Sequence, residues 1–144
     1  MTLLISYRVS VRFRDCDPLG HVNNAVYLTY LEQARFALWR AQLGEQMNPA
    51  ARATRGSRGT GFILARVEFD YRAQATYGDE LEVRVHLIEF GRSSFRYAYQ
   101  MVDTRSGRLV GEGTTVQVWF DYDQNKPAPL PQEIKDKLSA PVEA

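Results

Sequence analysis

Cysteine and histidine are scarce in this chain of 144 residues: Cys16 stands alone, and His21 and His86 are the only imidazoles. One thiol excludes an internal disulfide framework and fits a reducing compartment. So few soft ligands leave no ordinary structural zinc site, and neither a metal nor a cofactor is expected. No apolar run approaches the roughly 18 residues that span a bilayer. Residues 1–13 lack the basic start and small-residue cleavage site of a secretory signal. An excess of one charge is missing too: 18 Lys+Arg against 17 Asp+Glu leave +1, without the basic surplus of a duplex-binding protein. The phosphate loop G-x-x-x-x-G-K-[ST], the fingerprint G-x-G-x-x-G after a strand, the elbow G-x-S-x-G and the zinc helix H-E-x-x-H are all absent, which sets aside the chemistries they carry. The remaining expectation is a cytoplasmic, soluble chain with no nucleic-acid and no membrane partner, folding as one domain over residues 1–144.

What is present is patterned. Ile5, Tyr7, Val9, Val11 and Phe13 alternate with Ser6, Arg8, Ser10, Arg12 and Arg14, the period of a half-buried strand. Pro18 and Gly20 then break any regular element. From about Asn24 to Leu43 the period becomes helical. Tyr27, Leu31, Ala34 and Leu38 form one stripe, and Val26, Leu28, Tyr30, Phe36 and Trp39 widen it, as in a helix buried on most sides. Thr29, Glu32, Gln33, Arg35 and Arg40 make up its polar remainder, with Glu32 and Arg35 expected as a surface pair. Asn23 or Asn24 is a natural cap and Gly44 a natural stop.

Residues 45–60 read as a loop containing Arg52, Arg55 and Arg58. Four strands follow. Their apolar faces are expected at Ile63, Ala65, Val67, Phe69 and Tyr71; at Leu81, Val83, Val85 and Leu87; at Phe95, Tyr97, Tyr99 and Met101; and at Val116, Val118 and Phe120. The tail from about 124 to 144 is proline-rich, with a short helix expected over 131–138. Short turns make the four strands antiparallel neighbours, and the single apolar helix is the element available to cover them. The fold class is α+β: a curled antiparallel sheet of about five strands wrapped around one long central helix. Its open edges predict dimerisation by edge pairing.

The segment Asp15-Cys16-Asp17-Pro18-Leu19-Gly20-His21-Val22-Asn23-Asn24 gathers polar side chains between a buried strand and the start of a buried helix. One reading is a solvated connector with capping asparagines. The other is a catalytic site. A helix N-terminus offers unpaired N–H groups and positive partial charge to a developing oxyanion, and a nearby carboxylate can act as nucleophile or general base. Asp17 is better placed for this than Asp15, which is expected to cap the strand end or orient the loop. Cys16, flanked by two carboxylates, is disfavoured as a thiolate and reads as a packing residue. His21 reads as a structural hydrogen-bonding histidine or, less simply, a base. His86 is expected in solvent on its strand's polar face.

This segment, continuing through Ala25-Val26-Tyr27-Leu28 to Glu32 and Ala34-Arg35, resembles the D-x-D-x-x-G-H-V-N-N-x-x-Y form found in the 4-hydroxybenzoyl-CoA thioesterase branch of the hotdog-fold acyl-CoA thioesterases. The resemblance extends more loosely through Gly61-Phe62-Ile63, Tyr71, Gly78-Asp79-Glu80-Leu81 and the ending from Asp121 to Ile134. It implies hydrolysis of an acyl-CoA thioester at a site between two subunits of a homodimer or homotetramer. It also implies Asp17 as nucleophile or general base, and a backbone N–H near Asn24 at the carbonyl. Where a related branch has histidine, this chain has Asn24, whose amide would orient water or substrate. Substrate contacts are expected from His21, Asn23, Tyr27, Gly61, Phe62 and Ile63. Arg92 beside Ser93, or the loop arginines Arg52, Arg55 and Arg58, would meet coenzyme A phosphates; an ordinary solvated turn is the plainer reading of both. Three alternatives share the fold: a dehydratase or hydratase, which would need a paired catalytic Asp and His in a motif not found here; a thioesterase acting on acyl-carrier-protein thioesters; and a non-catalytic acyl-CoA-binding or oligomeric interaction protein.

Overall fold

The structure, a computed structural model, describes residues 1–44 and 59–143, so the loop arginines Arg52, Arg55 and Arg58 lie outside the described residues. Strand β1 (Thr2–Ser10) leads through a short 3-10 turn (Phe13–Asp15) to helix α1 (Asn24–Leu43). Strands β2 (Thr60–Tyr71), β3 (Glu80–Phe90), β4 (Ser94–Asp103) and β5 (Leu109–Asp121) follow, then the two-residue β6 (Lys126–Pro127) and helix α2 (Gln132–Leu138). The sheet is antiparallel in the order β1-β3-β4-β5-β2, with β6 against β5. The expected α+β architecture is therefore the observed one, with α1 at its centre. No helix among the described residues is long and apolar enough to cross a membrane.

Local chemistry sets the bounds of α1. The side chain of Asn23 accepts from the Ala25 N–H at 2.9 Å and caps the first turn, and Gly44 at φ +56° ends the last. Its buried face, Tyr27, Tyr30, Leu31, Ala34, Leu38 and Trp39, packs onto Leu81, Val83 and Val85 of β3 and Phe95, Tyr97, Tyr99 and Met101 of β4. Trp39 donates to the Tyr97 hydroxyl at 2.8 Å, so this aromatic pair buries its polar atoms satisfied. The expected tail helix is present as α2, with Ile134 and Leu138 buried.

Four expectations need correction. Phe13, assigned to the inward face, is 79% exposed and stands edge-on to Tyr77, because the strand has already given way to the 3-10 turn. In β2 the pairing with β5 shifts between Leu64 and Arg66. That bulge changes parity, so Phe62 packs into the core and Ile63 and Ala65 do not. In β5 the faces are reversed: Thr115, Gln117 and Trp119 point inward, and Val116, Val118 and Phe120 are half-buried on the outside. Finally, Arg35 forms no surface pair with Glu32. It is 5% exposed and reaches the Tyr99 hydroxyl instead.

Candidate active site

The segment from Asp15 to Asn24 is clamped at both ends. Asp15 is buried, and its carboxylate accepts from the Arg12 N–H at 3.0 Å, the Arg12 guanidinium at 2.9 Å and the Tyr30 hydroxyl at 2.8 Å. Burial alone would raise this carboxyl, but the hydrogen bonds from Arg12 and Tyr30 outweigh it and hold it below the ordinary carboxylate range. Burial and the same bond keep the Tyr30 phenol protonated. The Asp15 carbonyl accepts from the Asn23 N–H at 3.0 Å, which fixes where α1 begins.

Between these anchors the chain makes a tight return. The Asp17 N–H donates to the His21 carbonyl at 2.9 Å, and the Gly20 N–H to the Asp17 carbonyl at 3.0 Å. Gly20 sits at φ +91°, a conformation that favours glycine. Val22 N–H then bonds the Ala75 carbonyl at 2.9 Å, stitching the loop to the segment after β2. Cys16 packs against the core with its thiol toward the Arg12 carbonyl, as a packing residue would.

The result is a cleft of about 460 Å³. Asp17, His21, Asn24 and Tyr27 line one side; Tyr71, Arg72 and Gln74 line the other. Asp17 Oδ1 accepts from the Leu19 N–H at 2.9 Å and lies 3.9 Å from His21 Nδ1, beyond hydrogen-bond reach. Its Oδ2 has no donor among the described residues. At the helix start, Ala25 N–H is held by the Asn23 side chain and Val26 N–H by the Asn23 carbonyl at 2.9 Å. The Asn24 N–H is the one first-turn donor left without an acceptor among the described residues, and it is the one adjoining the cleft. The Tyr27 hydroxyl accepts from the Ala75 N–H at 3.1 Å, and burial raises its pKa.

Four sequence-predicted residues are thus brought together: Asp17, His21, Asn24 and Tyr27. Asn23 is the cap beside them. Gly61, Phe62 and Ile63 are not in this cleft; Phe62 packs tilted against Trp39, ring centroids 4.8 Å apart, near the opposite end of α1. Arg92 lines a separate depression of about 450 Å³ with Lys126 and Asp121, with Ser93 beside it. The wall formed by Tyr71, Arg72 and Gln74 was missed. It comes from a strand end nearly 50 residues beyond the motif, and the available signal was an aromatic residue closing an edge strand. Tyr71 donates to the Asn24 carbonyl at 2.9 Å and stands edge-on to Tyr27, their centroids 5.2 Å apart.

Comparison with known proteins shows the family and the fold. Residues 11–138 match the family described as the thioesterase-like superfamily. The acyl-CoA thioester hydrolase YbgC of Escherichia coli is 27% identical over 133 residues, 92% of this chain and 94% of its own. A thioesterase from Thermus thermophilus, solved with coenzyme A and zinc, is 37% identical with TM-score 0.76, covering 94% of this chain and 97% of that one. At 22% identity, a 1,4-dihydroxy-2-naphthoyl-CoA thioesterase from Synechocystis shares the fold, with TM-score 0.81 and coverage of 92% and 93%. The fold is that of the hotdog thioesterases. The chain belongs to the thioesterase-like superfamily.

Proposed function

We propose that this cleft hydrolyses acyl-CoA thioesters, with Asp17 as the reacting carboxylate and the Asn24 N–H as oxyanion donor. The observation that carries the reading is the pairing of those two unused groups, Asp17 Oδ2 and the Asn24 N–H, beside one cleft. The helix dipole adds positive potential where the carbonyl oxygen gains charge. As general base, Asp17 takes a proton from water. The hydroxide adds to the carbonyl carbon, the C–S bond breaks, and the proton passes to the departing thiolate. As nucleophile, it forms a mixed anhydride that water then cleaves, giving the same acid and thiol. Neither route asks for proton transfer by His21.

The site is completed by a second copy. Strand β2 is an open edge with Leu64, Val67 and Tyr71 exposed, and Phe36 of α1 is exposed as well. Two such edges paired antiparallel about a two-fold axis set the Gly61–Ile63 end of one copy beside the Tyr71 end of the other. Phe62 and Ile63 then extend the acyl wall, and Arg92 with Lys126, neither in an ion pair among the described residues, comes within reach of coenzyme A phosphates.

The test is thiol release from short, medium, long and aromatic acyl-CoAs by wild type and Asp17→Asn. Removal of a reacting carboxylate should lower kcat by about 10²–10⁴ with the fold intact. Full activity in Asp17→Asn overturns the role of the carboxylate. Release only from acyl-carrier-protein thioesters overturns the substrate.

A further inference from the structure

Asn24 is held on both sides by bonds that leave its own N–H free. Before it, the Asn23 N–H donates to the Asp15 carbonyl at 3.0 Å. After it, the Asn24 carbonyl accepts from the Tyr71 hydroxyl at 2.9 Å. The chain on either side of Asn24 is therefore tied to a different element, the Asp15 loop and the end of β2. Between the two ties stands the Asn24 N–H, without an acceptor among the described residues.

The phenol that makes the second tie has little freedom. Its ring stands edge-on to Tyr27, with centroids 5.2 Å apart at 76°, and to Phe69, 5.0 Å apart at 79°. Tyr27 and Phe69 also meet, at 6.1 Å, so the three rings form a closed cluster. Tyr27 is anchored in turn, since its hydroxyl accepts from the Ala75 N–H. Behind the ring, Tyr71 is the register partner of Gly111 in β5, and the Arg72 and Ala73 N–H groups both donate to the Val110 carbonyl, at 2.8 and 3.0 Å. The hydroxyl thus carries the position of a packed sheet to the first turn of α1. Tyr71 is nonetheless 47% exposed and lines the cleft, and a hydrogen bond within reach of water adds little to stability. The contact does little for the fold, and what it holds is the oxyanion donor.

We propose that Tyr71 is a positioning residue of the catalytic cleft, whose hydroxyl, acting through the Asn24 carbonyl, keeps the Asn24 N–H aimed at the oxyanion. The inference rests on the thioesterase reading and adds a residue to it. A donor stabilises developing charge most when it is already oriented, because turning it during the reaction forfeits part of the gain. Helix ends fray, and the phenol opposes that motion at the one turn where the chemistry needs a fixed N–H.

The experiment compares wild type with Tyr71→Phe, which keeps the ring and removes the hydroxyl, by two independent readouts. The first is thiol release from an acyl-CoA that wild type hydrolyses, with kcat and KM separated and the association state measured on the same samples. The second is the NMR order parameter of the Asn24 N–H in the substrate-free protein. In Tyr71→Phe, kcat should fall by about tenfold or more with KM changed less than about twofold. The order parameter should drop from about 0.85 toward about 0.6, while the thermal midpoint scarcely moves. A kcat equal to wild type, whatever the order parameter does, overturns this inference alone. A lower kcat with the order parameter unchanged means that the hydroxyl touches substrate directly, and overturns the positioning role. Weaker association that accounts for the loss assigns the hydroxyl to the subunit contact and overturns it as well. Thiol release from no acyl-CoA by wild type overturns the reading beneath, and this role with it.

Discussion

Tyr30 donates its phenolic proton to Asp15 Oδ2 across 2.8 Å, and that bond joins the central helix to the loop carrying Asp17. Both groups are buried, so neither finds water when the other is lost. Tyr30→Phe should cost about 1.5–3 kcal/mol, the worth of a hydrogen bond to a charged group. The Asp15 carboxyl is held below the ordinary range, so the stability it contributes is present above the unfolded value near 3.8 and disappears as pH falls through the lower folded value. The gap in stability between wild type and Asp15→Asn should therefore be full at pH 7 and narrow only in strong acid. Urea unfolding of both proteins from pH 7 down into strong acid measures it. A gap that stays constant throughout would show that the charge of Asp15 contributes nothing.

Gly113 of β5 lies so close to β2 that a Cβ there would overlap the Glu68 carbonyl oxygen, which is backbone and cannot swing aside. At Gly111 the obstacle is the Phe69 ring, a side chain that can rotate. Gly113→Ala should therefore be the worse of the two, by about 1–3 kcal/mol as in other overpacked sites. Because β2 carries Tyr71, a wall of the cleft, its displacement should also lower activity. Thermal midpoints and thiol release on the two alanine variants give the comparison. Equal midpoints would mean the strands separate without cost.

Much of this fold is legible in the chain because local signals agree with one another. A cap at Asn23 or Asn24, the stop at Gly44 and the apolar stripe between them predict α1 from about Asn24 to Leu43, and the helix spans Asn24–Leu43 with Asn23 as its cap. The alternation in β3 and β4 identifies the face that is buried. The reading fails where burial and polarity part company. In β5, Thr115 and Gln117 point inward, where Thr115 meets the Tyr99 hydroxyl and Tyr99 in turn meets Arg35, while Val116 and Val118 lie outside. No period-2 rule can see that partnership, since its members lie on three elements. The bulge at Leu64 to Arg66 similarly flips the side chains before it, and nothing local announces it. At the site, the Asp17 to Tyr27 side came from one contiguous motif. The Tyr71 to Gln74 side depended on a strand returning across the sheet.

The Asn23 cap has two consequences that can be separated. Its side chain holds the Ala25 N–H, leaving Asn24 as the single free donor of the first turn among the described residues. Asn23→Ala should cost about 1 kcal/mol, and Asn23→Asp, which keeps the acceptor, should cost much less. If the cap also orients the Asn24 N–H, Asn23→Ala should lower kcat more than it raises KM, and Asn23→Asp should recover it. Loss of stability with kcat unchanged would confine Asn23 to a structural role.

The open edge of β2 makes the last prediction. Leu64 and Val67 are exposed on that strand and Phe36 on the helix beside it, apolar surface that a strand edge normally avoids presenting. The opposite edge, β1, is partly occupied, since the Val142 N–H bonds the Leu4 carbonyl at 2.7 Å. Pairing should therefore use β2. Two lysines, Leu64→Lys with Val67→Lys, set like charges across a two-fold contact while leaving Asp17 and Asn24 untouched. The dissociation constant of the dimer should rise at least about tenfold, equivalent to ~1.4 kcal/mol, as measured by sedimentation across a concentration series. If the second copy supplies the Phe62 end of the acyl wall and the Arg92 cation, specific activity should fall with dilution along the same curve. A double variant that still associates as tightly as wild type would place the interface elsewhere. Full activity in a monomeric variant would show that one chain holds the complete site.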